Sequence, residues 1–235
     1  MNWLRKMTPE KLYELFRLEV DDISEPYLWE DAEFYAYLNE AQDLHITEIG
    51  GIADRSSSFT KITYKSGDQF LKYDPRIFRI KGAWDEDNRR ISIVNLDNME
   101  GIAGDDDYGA RVLSGLDDSL TGPIRAIITD VEDERIQLYP IPEAAGYIQL
   151  YVFRRAVYGI TEESEEFEIP SYYHLNLLNW VKYKAYSKQD VETFDTKKAM
   201  EFRIEFMAGV DKAKRDRASR HDRKRVVQYG GIPMS

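Results

Sequence analysis

Helical periodicity at both ends of the chain, with strand periodicity between them, is the pattern that most restricts how this sequence folds. Thr8-Pro9-Glu10-Lys11 reads as an N-cap with proline at the first helical position. Leu12, Leu15, Phe16 and Leu18 follow at helical spacing and predict a helix over 9–20. Ser24-Glu25-Pro26 marks a turn. Phe34, Leu38, Ala41 and His45 then form one stripe of a helix over 30–49, stopped by Gly50-Gly51. At the other end Pro170 and Ser171 open a helix over 172–188 with Leu177, Leu178, Val181 and Ala185 on one face. Asp195-Thr196 caps another, carrying Ala199, Phe202, Phe206, Val210 and Ala213. Short helices do not stand alone in water, so the two ends are expected to close on each other and hold the middle as an insertion.

That middle contains seven short β-rich runs, at 59–65, 69–73, 76–81, 90–96, 125–131, 135–139 and 147–153. Lys65-Ser66-Gly67-Asp68, Trp84 to Asn88 and Asp130 to Glu134 read as hairpin turns. The Gly- and Asp-rich stretch 98–122 reads as a long surface loop. The expected fold is α+β: a four-helix bundle from 1–55 and 168–214, and an antiparallel, sandwich- or barrel-like module inserted at 56–167 with its acidic loop at 98–122. An extended C-terminal arm over 215–235 completes it. Trp29, Leu38, Leu177, Trp180, Val181, Phe202 and Phe206 are the expected helical core.

Composition removes several functions. With no cysteine there is no disulfide framework or thiolate metal site, and three scattered histidines offer little to zinc, so no metal or cofactor is expected. No run approaches the roughly 20 apolar residues that span a bilayer, and the first residues do not resemble a signal peptide. The expectation is a protein kept in a cytoplasm or released with a particle, without a membrane partner. A net charge of -11 argues against a general coat for nucleic acid. The charge is uneven, however: Lys212, Lys214, Arg215, Arg217, Arg220, Arg223, Lys224 and Arg225 face three Asp between 211 and 225, a local +5 against -16 for the remainder. Such asymmetry favours electrostatic contact with an acidic protein surface, including another copy.

Nothing in the sequence assembles a catalytic site. There is no phosphate-binding glycine loop, and His45, His174 and His221 have neither zinc spacing nor an adjacent nucleophile, so they read as surface or core-edge residues. Asp105-Asp106-Asp107 and Asp117-Asp118 lack calcium-loop spacing and read as a solvated turn. Glu162-Glu163-Ser164-Glu165-Glu166 reads as an exposed block. Two rivals to a non-enzymatic part stay open: a cell-wall glycan hydrolase using acids such as Asp105 to Asp107, and a DNA-binding protein using the basic last helix.

Trp29 with Tyr37-Leu38-Asn39-Glu40-Ala41-Gln42, then Leu138-Tyr139-Pro140-Ile141-Pro142, Tyr147 to Arg155 and Ile169-Pro170, occur in an order that resembles the head-to-tail adaptor proteins of short-tailed phages. Gln189-Asp190 through Lys198-Ala199, opening the last helix, continues it. The resemblance extends from about Pro9 to Arg225. It implies a virion protein of the head–tail junction, assembled in the host bacterial cytoplasm as a ring, commonly of twelve copies. Such a ring binds the portal protein, connects it to the tail (nozzle) protein and lines the path of DNA, which is met only as the passing genome. By position, Arg215 to Ser235 matches the segment that embraces the portal. Arg215, Arg217, Arg220, Arg223, Lys224 and Arg225 are then the docking cations, with Tyr229, Ile232 and Pro233 as anchors. The acidic stretch 101–122 has no counterpart in that pattern.

Overall fold

A computed structural model describes residues 7–95, 119–189 and 194–221. Among them are four α-helices: α1 (Pro9–Glu19), α2 (Asp31–Glu48), α3 (His174–Ser187) and α4 (Thr196–His221). Eight strands lie between α2 and α3: β1 (Ile52–Asp54), β2 (Lys61–Tyr64), β3 (Phe70–Lys72), β4 (Ile77–Trp84), β5 (Arg90–Asn95), β6 (Ala126–Glu132), β7 (Arg135–Tyr139) and β8 (Gly146–Arg154). The chain divides into two compact units, a helical one from Met1–Ile49 and Gly159–Ser235 and a sheet unit from Gly50–Tyr158.

In the helical unit α1 starts as its sequence dictates: Thr8 Oγ1 accepts the Lys11 N–H at 3.3 Å and Pro9 occupies the first turn. α3 packs along α4 and against α2, with a lighter contact to α1. Leu177, Leu178, Val181 and Ala185 are buried on it, opposite Phe34, Leu38 and Ala41 of α2 and Phe206, Val210 and Ala213 of α4. Trp29 is buried and its Nε1 donates to the Ala185 carbonyl at 3.1 Å, while Trp180 and Phe202 are half-buried. Asn39 clasps the chain returning from the sheet, donating to Ile160 O at 2.7 Å and accepting from Ile160 N at 2.6 Å.

Leu18, expected on the buried stripe of α1, is 67% exposed, and Arg17 takes an inward place instead. Its guanidinium pairs with Asp22 and donates to Trp29 O and Asp31 Oδ1, both at 2.7 Å. Asp22 also accepts Leu28 N at 3.0 Å. The elbow between α1 and α2 is thus built around one buried, multiply bonded ion pair rather than around leucine. His45 lies on the stripe with Phe34, Leu38 and Ala41 as expected, but it and His174 are deeper than the surface or core edge. His45 and His174 are fully buried core residues, the latter within hydrogen-bonding distance of Ile169 O (2.8 Å) and Met7 O (3.2 Å).

Gly50 and Gly51, both at positive φ, turn the chain out of α2 and into β1, a strand too short to leave a periodic signal. The strands form one curled half-barrel sheet in the order β1-β8-β4-β5-β6-β7-β3, with β2 also on β8, and not the two layers of a sandwich. β8 is the organising strand: Ile148, Leu150 and Val152 alternate into a core shared with Ile77, Ala83, Ile91, Ile127, Ile136 and Leu138. Two further expectations are corrected here. The sheet is not wholly antiparallel, because β5 and β6 run parallel. A parallel pair needs a long connection, and residues 96–125 separate the two strands in sequence. Lys65 to Asp68 forms a turn, with Lys65 N donating to Asp68 Oδ2 at 2.7 Å, but no hairpin: β2 goes on to β8 and β3 to β7. The turns at Asp85–Arg89 and between β6 and β7 do close antiparallel pairs.

The expected arm from Arg215 onward begins as helix, since α4 continues to His221. Residues 211–221 hold no glycine or proline, and Lys, Arg and Ala are good helix formers. The rest of the arm, and 98–118 of the acidic loop with Asp105 to Asp107 and Asp117-Asp118, lies outside the described residues.

Candidate functional site

The basic end of α4 is set by two inward contacts. Asp195 Oδ1 accepts the Lys197 and Lys198 N–H groups at 3.0 Å and fixes the start of the helix. From there Phe206, Val210 and Ala213 recur at intervals of three and four and keep one face buried. Beyond Ala213 the same face carries charge. Lys214 Nζ lies 2.5 Å from Glu48 Oε2, and Arg217 Nη1 donates to Ile49 O at 2.6 Å. Both partners belong to the C-terminal end of α2, where unsatisfied carbonyls favour cations. The Glu48 carboxylate raises the Lys214 ammonium pKa above its ordinary value. Asp216 Oδ2 accepts the Tyr173 hydroxyl at 3.4 Å from the 3-10 turn that precedes α3.

The structure therefore divides the docking residues expected from sequence. Arg215, with Lys212, is exposed and points away from the helical core. Arg217 is half-buried and bonded to the backbone of α2, so at least part of its charge serves the unit's own cohesion. The side chain of Arg220, and Arg223, Lys224, Arg225, Tyr229, Ile232 and Pro233, lie outside the described residues. Sequence reading missed the inward turn of Lys214 and Arg217 because it depends on where α2 ends in space; an i, i+3 cationic pair continuing an apolar stripe is the signal that could have flagged it.

The described residues hold no group of three or more His, Asp or Glu that could bind a metal ion. Glu162, Glu163, Glu165 and Glu166 are exposed. A depression of about 280 Å³ beside β4 and β5 is lined by Asp85, Glu86, Arg89 and Glu143 among others. Arg89 is paired with Asp85 and Asp87, and Glu143 accepts the Thr121 hydroxyl at 2.8 Å. Asp85 also stabilises its own turn, accepting the Asp87 and Arg89 N–H groups. None of the described helices is long and apolar enough to cross a membrane.

Comparison with curated proteins finds no match. The family model for the SU10 adaptor protein matches residues 7–228, nearly the whole chain and both of its units. That family is a structural one rather than an enzyme family, and its members are components of the phage particle. The chain belongs to the SU10 adaptor protein family and is a phage head-to-tail adaptor.

Proposed function

We propose that the protein assembles as a ring, twelvefold in the reading that the sequence resemblance favours, which binds the portal protein on one side and the tail (nozzle) protein on the other and lines the DNA ejection path. The four helices act as a bundle that forms the ring wall, the sheet unit is the inserted module, and the segment from Arg215 onward reaches the portal. The observation that carries this reading is the end of α4. Lys214 and Arg217 pin it to α2, so Arg215 and the basic segment beyond start from a fixed point. A segment launched from a rigid base loses less freedom on docking than one hung from a loop. Ring symmetry makes the second and later contacts effectively intramolecular, so individually weak cationic contacts sum to a firm joint. The net charge of -11 suits a channel through which DNA slides rather than sticks.

The test is deletion of 226–235 together with Arg215→Glu, read by co-sedimentation with the phage's portal rings. Retained helicity with lost portal binding is the expected result. Portal binding unchanged in both variants would remove the C-terminal segment from the joint.

A further inference from the structure

Cations collect in a second place, on the outer face of the sheet. Tyr147, Gln149, Tyr151 and Phe153 of β8 alternate away from the core that Ile148, Leu150 and Val152 enter. Against these rings and their neighbours lie five exposed cations. Arg55 sits 4.3 Å from the Trp84 ring, Lys61 3.7 Å from Tyr147, Arg79 and Lys81 4.9 and 5.9 Å from Phe153, and Arg155 5.0 Å from Phe78. The far edge of the Trp84 ring covers Gly82, where a Cβ would meet it at 2.5 Å, so only glycine leaves room for this platform. Among the described residues none of the five cations is ion-paired, whereas Arg76 and Arg154, on the margin of the same region, are neutralised by Asp74 and Asp54. A cation over a ring is held in place without losing its charge. In a chain of net charge -11 this is a preorganised positive face whose five cations have no ion-pair partner among the described residues.

We propose that this face receives the elbow between α1 and α2 of a second copy of the chain. The inference rests on the ring reading and names the surfaces that join neighbouring copies. The elbow has the complementary chemistry. Asp21, Glu25 and Glu30 are exposed, and between them Ile23, Tyr27 and Leu28 are 61, 40 and 40% exposed. It is stiffened from beneath by the Arg17–Asp22 pair and by Asp22's bond to Leu28 N, so carboxylates and apolar tips are presented in one fixed shape. Two rigid surfaces of opposite charge meet at small ordering cost. A contact that uses different patches on the two partners propagates from copy to copy and closes as a ring when the rotation allows. Single-stranded nucleic acid fits this face less well, because cations already cover the rings on which bases would stack.

The chain has no cysteine, so engineered pairs report cleanly. Full-length Glu25→Cys and Lys81→Cys proteins are mixed, concentrated with and without the phage's portal rings, oxidised, and read by mass and on non-reducing gels. A disulfide-linked dimer from the mixture, absent from either variant alone, is expected. R79E/K81E, folded by circular dichroism, lowers the assembled fraction about tenfold at 0.1 M salt. Adding E25K/E30K to the same chain restores it. Rings that form without the mixed disulfide, and that ignore R79E/K81E, overturn the proposed contact and leave the ring reading standing. A protein monomeric under every condition takes down the ring reading and the contact with it. Rings unaffected by R79E/K81E, with loss of single-stranded DNA binding, would assign the face to nucleic acid and overturn the proposal.

Discussion

Lys182, Lys184, Lys188 and Lys214 of the helical unit each reach a carboxylate on or beside another helix, at Glu19, Glu40, Glu33 and Glu48. Arg55, Lys61, Arg79 and Lys81 of the sheet unit reach rings instead. The difference follows from how each unit fixes its register. Strands are aligned by ladder hydrogen bonds and by alternation into the core, so their outward side chains are left over for other uses. Helices brought together from opposite ends of a chain have no ladder between them. Packing of smooth apolar stripes tolerates sliding, and cross-helix ion pairs with directed bonds such as Trp29 to Ala185 O restrict it. These helical cations are therefore architectural and these sheet cations displayed, while Asp54 with Arg154 is an architectural pair of the sheet unit.

Acid should separate the two units further. Burial lowers the His45 pKa to about 4. With both ring nitrogens unbonded among the described residues, the imidazole gains nothing there to offset that desolvation. The unfolded chain then takes up a proton first, so this contribution to stability is complete above about pH 6.5 and is lost as pH falls toward 4. Asp54 in the sheet unit behaves oppositely. Burial pushes its carboxyl upward, but the Ser57 hydroxyl, the Arg154 guanidinium and the backbone N–H groups of Ser56 and Ser57 outweigh that and hold it well below the usual carboxylate range. Its contribution persists above the unfolded value near 4 and is lost only at lower pH.

The sharpest way to break the contrast is Arg17→Met, which strands the buried Asp22 carboxylate. Urea unfolding followed by Trp29 fluorescence should show a loss of about 3–5 kcal/mol in the helical unit. Next in size is the acid response. Between pH 7 and pH 4.5, hydrogen exchange corrected for intrinsic rates should reveal up to about 3 kcal/mol of weakening in α2 and α3. The strands should hardly change, and His45→Phe should abolish the difference. Equal weakening of both units would erase the distinction. Asp54→Asn should cost the sheet unit about 1–3 kcal/mol at pH 7 and progressively less as pH falls below about 4, measured by the same exchange on β1 and β8. The smallest effect is expected from Lys184→Ala, whose pair with Glu40 is solvent-exposed: below about 0.5 kcal/mol by thermal melting.

Much of the fold was legible where local signals decide it. Thr8-Pro9 announced α1, the stripe Leu177, Leu178, Val181 and Ala185 identified the most buried helix, and the alternation around Ile148, Leu150 and Val152 marked β8. The misses share one cause, since each was decided by a partner distant in sequence. β1 exists because β8 is there to pair with it. The parallel union of β5 with β6 depends on which strand returns after a long crossover. Nothing local marks Arg17 as inward-facing; it is the convergence of Asp22 and Asp31 that places it there. Of the candidate docking segment, its basic character was legible, but not the inward use of Lys214 and Arg217, which requires the end of α2 as neighbour.

The interruption of the helical unit by the sheet also sets a timetable. On the ribosome, α1 and α2 emerge first and must wait while every strand is translated, about 5–20 s at ~5–20 residues per second, before α3 arrives to cover Trp29 and Leu38. During that interval the nascent helices expose adhesive surface, a natural client for a chaperone. The basic stretch of α4 around Lys214 and Arg217 follows every other described element, so its contacts to the end of α2 form only after the sheet unit has been made.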